Sequence, residues 1–106
     1  MRKLLLALVL FAAPASAEPP RPQSLKVWMN ANASMALKTS NYDKLTAAFE
    51  SVKSFAPGGA QFASWESIAG RGADAARDHD LDAVRQACKS CHDAHRAAYR
   101  DWANGR

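Results

Sequence analysis

The stretch Asp80-Leu81-Asp82-Ala83-Val84-Arg85-Gln86-Ala87-Cys88-Lys89-Ser90-Cys91-His92-Asp93-Ala94-His95-Arg96-Ala97-Ala98-Tyr99-Arg100-Asp101-Trp102 sets the expected fold. It reads as one helix. Asp80 stands at the N-cap position ahead of Leu81, where a carboxylate accepts from first-turn N–H groups. The helix is expected to run to about Trp102 and to end at Asn104-Gly105.

Three more helices are read outward from it. A helix over about Ala60 to Arg77 carries the stripe Phe62, Trp65, Ala69, Gly72 and Ala76. Pro57-Gly58-Gly59 separates it from a helix over about Asn41 to Phe55. There Tyr42, Leu45, Phe49, Val52 and Ala56 follow one another at alternating spacings of three and four, which places them on one face. Ser40 with Asp43 is a capping-box-like start for it. The first helix covers about Gln23 to Leu37. No segment alternates with period two, so strands are not supported. Four amphipathic helices with short connections make an all-α, small four-helix bundle, up-down-up-down, the economical architecture. Gly70-Arg71-Gly72 is unusual within a helix. Either a flat bound group approaches the backbone there, with Arg71 meeting a carboxylate, or two short helices break there.

Met1-Arg2-Lys3, the apolar run Leu4 to Ala13 and Ala15-Ser16-Ala17 have the form of a secretory signal peptide. The expected organisation is a signal peptide over 1–17, an extended Pro-rich leader over 18–22, and a helical domain over 23–106. Cleavage after Ala17 would place the chain in the periplasm. No apolar run is long enough to span a bilayer, so no stable membrane span is expected after cleavage. The chain has 106 residues, 48% of them hydrophobic and 23% charged, which bounds it at one globular domain. The net charge of +4 comes partly from the signal, and so gives no case for nucleic-acid binding. What remains after cleavage supports only a small core. Domains of that size commonly depend on a metal, a cofactor or another staple.

The last helix supplies a candidate. Cys88-Lys89-Ser90-Cys91-His92 is C-x-x-C-H, the spacing of c-type haem attachment. Cysteines three apart share a helix face, so both thiols can add to the two vinyl groups on one edge of a macrocycle. His92 follows on the same side and can reach the iron as axial ligand. A disulfide between Cys88 and Cys91 would be strained within a regular helix. A redox-active cysteine pair of the thioredoxin type needs a βαβ setting. A zinc site drawn from Cys88, Cys91, His92 and His79 or His95 lacks a second cysteine pair.

A sixth iron ligand must come from upstream, because His95 is too close along the same helix. Met29, Met35 and His79 are the candidates. Met29 and Met35 lie six residues apart and point about 120° apart on a helix, so only one can face the iron. Met29 shares a face with Leu25, Asn32 and Ala36, whose short side chains leave room for a flat ring, and is preferred. Met35, or no protein ligand, are the alternatives. His79 sits between Asp78 and Asp80 in a polar turn.

A C-terminal C-x-x-C-H on the last helix of a bundle, with the methionine upstream, resembles the class II c-type cytochromes: cytochrome c-prime and its low-spin relatives. The resemblance is carried by Ala87-Cys88-Lys89-Ser90-Cys91-His92-Asp93-Ala94-His95-Arg96 and, in the first helix, by Trp28-Met29-Asn30. It implies one covalently attached haem c, with Cys88 and Cys91 as thioethers, His92 as proximal ligand and Met29 as distal ligand. It also implies single-electron transfer between redox partner proteins, with no enzymatic reaction. The alternative is a five-coordinate protein that binds or scavenges nitric oxide. Pairing of two bundles into a homodimer is common in the resembled family.

Overall fold

The computed structural model describes Pro22 and residues 24–105. The expected signal peptide over 1–17 and nearly all of the leader lie outside the described residues. Among the described residues there is no strand. The first helical rod is built of α1 (Leu25–Met29), a π-helical turn (Asn30–Ser34) and α2 (Met35–Lys38). After it come α3 (Tyr42–Ser54), a 3-10 turn (Ala60–Phe62), α4 (Trp65–Arg77) and α5 (Leu81–Asn104).

Two of the three connections use the same device. Ser40, after α2, and His79, after α4, sit in left-handed backbone at φ 50° and φ 56°. The N–H of Asn41 then reaches the carbonyl of Ala36 at 2.9 Å, and that of Asp80 reaches Ala75 at 2.9 Å. Both are the hydrogen-bond pattern that closes a helix by a left-handed residue. The residue after each turn at once caps the next helix. The side chain of Asn41 accepts from Lys44 N–H, and that of Asp80 from Ala83 N–H, both at 3.1 Å. The capping-box reading of Ser40 and Asp43 is thereby corrected. Ser40 is taken up in ending α2, and the cap falls to Asn41. The two turns meet at one end of the bundle, where the Tyr42 and His79 rings stack 4.4 Å apart.

The third connection is looser. Pro57 is buried, Gly59 takes φ 113°, and one 3-10 turn precedes α4, which begins at Trp65, five residues later than the apolar stripe suggested.

α3 packs on α4, α4 on α5, and the first rod on α3. Ala36, Leu45, Ala75, Ala76 and Val84 fill one buried cluster. Val52, Phe55, Phe62, Trp65 and Ala69 fill a second. Trp65 is 2% exposed and donates its indole N–H to the Val52 carbonyl at 2.7 Å, so its polar handle is satisfied inside the core. α4 is continuous through Gly70-Arg71-Gly72, which removes the expected break between short helices. Gly72 is needed because the Phe49 ring of α3 fills the place of its missing Cβ. Arg71 is exposed. A helix break does not explain these glycines.

A candidate haem cavity between the first rod and the last helix

In a closed four-helix bundle the first and last helices would pack together. Here a cavity of about 730 Å³ lies between them, within the size range of pockets that hold cofactors. Cys88, Cys91 and His92 line it from α5. Met29, Ala33 and Leu37 line it from the first rod. Phe49 and Val52 of α3 and Trp65 and Ile68 of α4 complete an apolar floor.

The α5 wall follows from helix geometry. At 100° per residue, Cys91 and His92 fall within about 60° of the direction of Cys88. Both thiols are half-buried, as is the imidazole. Burial pushes both thiols above the usual cysteine range, and the neighbouring Cys88 raises Cys91 further. They stay protonated at neutral pH. Burial also pushes the His92 imidazole down, and the Arg96 charge adds to this, against a smaller opposing pull from Asp93. His92 is therefore held neutral, the form in which a ring nitrogen can ligate a metal.

The opposite wall depends on the π turn. Leu25, Met29, Ala33 and Leu37 all line the cavity at a strict spacing of four. In an unbroken α-helix that spacing drifts by about 40° per step and would carry Leu37 well away from Leu25. A π-helical turn takes more residues per turn and cancels part of the drift. It falls directly after Met29. The face expected from plain α-periodicity was Leu25, Met29, Asn32 and Ala36. The structure keeps Leu25 and Met29 on the cavity. Asn32 instead donates its amide N–H to the Trp28 carbonyl at 3.0 Å. Ala36, 1% exposed, goes into the cluster around Leu45 and Val84.

Met29 is the methionine on the cavity wall. Met35 is 52% exposed and is not among the lining residues. His79 stacks on Tyr42 in the α4–α5 turn, more than two helical turns before Cys88. Among the described residues no group of three His, Cys, Asp or Glu side chains is placed to hold a metal ion.

His95 lines the same cavity but is 4% exposed. Its Nε2 lies 2.9 Å from the Ser64 hydroxyl, and its ring sits 5.7 Å from Trp65 and 5.9 Å from Phe62. Its Nδ1 is buried without a partner. Arg96 lies one turn after His92 and donates to the His92 Nδ1 at 3.2 Å. Sequence reasoning passed over Ala33 and Leu37, although their spacing from Met29 was visible. It also passed over Lys26 and Arg100, which line the cavity beyond the thiols. No local motif marks these two residues, because they meet only once the helices are assembled.

The donor set suits a haem: two thiols, a neutral imidazole and a thioether around an apolar slot. Comparison with family models, curated proteins and solved structures found no match to this chain.

Proposed function

We propose that the chain is a periplasmic monohaem c-type cytochrome that passes single electrons between partner proteins. Cys88 and Cys91 would hold the haem as thioethers, with His92 as its proximal and Met29 as its distal ligand. One observation carries the reading. The paired thiols, His92 and Met29 line one apolar cavity that occupies the place of a helix–helix interface. The thiols and His92 follow from one motif and Met29 from a separate argument on the first helix, and Met35 and His79, the other upstream candidates, are not on that cavity's wall.

Haem, when bound, supplies an iron that changes by one electron. The chain's own residues set the conditions. Cys88 and Cys91 fix the edge of the group on a 24-residue helix. Burial above all keeps His92 neutral and ready to ligate. Met29 offers a soft thioether, which favours the ferrous state and raises the potential. Phe49, Val52, Trp65 and Ile68 exclude water from one side, which limits solvent rearrangement when the charge changes.

The test is a denaturing gel of the exported protein stained for covalent haem, followed by visible spectra of both oxidation states. Stain on the wild type, lost in Cys88→Ser/Cys91→Ser, with a low-spin ferric spectrum, supports the proposal. A high-spin ferric spectrum with rapid carbon monoxide binding would assign the five-coordinate, nitric-oxide-binding alternative. A colourless, unstained protein would overturn both.

A further inference from the structure

The charged residues that line the cavity are Lys26 from the first rod and Arg96 and Arg100 from α5, and all are cations. Among the described residues no carboxylate lines it. Arg96 and Arg100 stand one and two turns beyond His92, roughly 6 and 12 Å further along the helix axis, away from Cys88 and Cys91. Lys26 is one turn before Met29 on the facing rod. The cavity thus has a thiol end and a cationic end.

One further observation bears on the cationic end, the Arg96 contact. A guanidinium only donates, so its bond to His92 Nδ1 requires a bare nitrogen there and puts the ring proton on Nε2. A ring that ligates through Nε2 carries its proton on Nδ1 and has nothing for Arg96 to donate to. Ligation and this contact exclude each other, so ligation frees the Arg96 guanidinium.

We propose that Lys26, Arg96 and Arg100 form an anion subsite that takes the two carboxylates of the attached group and fixes its orientation in the slot. This rests on the cytochrome reading above and extends it. The thiols define where one edge of the macrocycle sits, and the cations define where its propionate edge sits. Lys26 and Arg100 reach it from facing helices, so the group also ties together two helices that otherwise leave a gap.

The test uses the haem-bearing full chain, with attachment first established by haem staining. Lys26→Gln, Arg100→Gln and their combination are compared with Lys44→Gln, an exposed lysine of α3 outside the cavity lining. Resonance Raman spectroscopy reads the propionate bending modes, and a redox titration against a reference dye reads the reduction equilibrium. The modes are expected to shift in Lys26→Gln and Arg100→Gln and to stay in place in Lys44→Gln. Lys26→Arg and Arg100→Lys are expected to retain them. The reduction equilibrium constant should fall severalfold in the combined variant, because two cations no longer favour the less positive oxidation state. Stained protein with identical modes in every variant overturns the subsite and leaves the cytochrome reading standing. Unstained wild type overturns both.

Discussion

The ring of Phe49 on α3 occupies the space that a Cβ on Gly72 of α4 would need. Phe49 also lines the cavity floor, so the closeness of these two helices sets the depth of the slot. Two glycines two positions apart therefore respond in opposite ways. Gly72→Ala must push the Phe49 ring aside and is expected to cost about 1–3 kcal/mol. Nothing lies within 4 Å of a Cβ at Gly70. Gly70→Ala should gain up to about 1 kcal/mol from helix propensity alone. Thermal melts of the two variants check this, and a melt of Gly72→Ala as high as wild type would show that Phe49 moves freely.

Much of this geometry was legible in the sequence, and the reasons for the remainder are physical. The stripes Leu45-Phe49-Val52 and Phe62-Trp65-Ala69-Gly72-Ala76 are read directly from periodicity, because burial of a helix face is a local pattern. The cap at Asp80 was readable for the same reason. Ser40 was misread because the choice between ending one helix and capping the next depends on backbone geometry that spans both. The wall Leu25-Met29-Ala33-Leu37 was half-read, because the argument assumed 3.6 residues per turn and the π turn changes that count. The reason for Gly72 was not legible because the Phe49 ring it accommodates lies 23 positions away in sequence. The attachment residues were legible because the two-thiol-plus-imidazole chemistry is compressed into five consecutive positions.

Ser64 is the partner of a nearly inaccessible imidazole. Removing its hydroxyl leaves the His95 Nε2 as unsatisfied as its Nδ1 already is. Ser64→Ala is expected to destabilise the fold by about 1–3 kcal/mol, more than an exposed serine normally would. Ser67→Ala is the control, since its hydroxyl bonds only the Ser64 carbonyl at 3.1 Å on the surface. Chemical denaturation of both variants measures the difference. Equal midpoints would show that His95 does not depend on this contact.

His92 gives the haem-free chain a pH dependence with a definite sign. In the unfolded chain it titrates near 6.5, and folding lowers that value, chiefly by burial. The unfolded chain then binds protons more readily than the folded one as the solution becomes acidic. The contribution of His92 to stability is complete above about pH 6.5 and is lost as pH falls below it. Denaturant midpoints of a haem-free preparation at a series of pH values should decline through that window, and His92→Gln should flatten the decline. A slope unchanged by His92→Gln would show that other groups carry it.

Met29 and Met35 provide the sharpest test of how the first rod is used. The two thioethers have the same chemistry and lie within six positions of each other. They differ only in that one is on the cavity wall and the other is 52% exposed. Sulfur ligation of ferric haem gives a weak charge-transfer band at long wavelength. Met29→Ala is expected to abolish that band, lower the potential and open the sixth position to carbon monoxide in the ferrous protein. Met35→Ala should leave all three properties as they are, because its side chain projects to solvent. Persistence of the band in Met29→Ala would remove Met29 as ligand. Its loss in Met35→Ala instead would mean that the rod turns about its π segment when haem is attached, carrying the outer methionine inward.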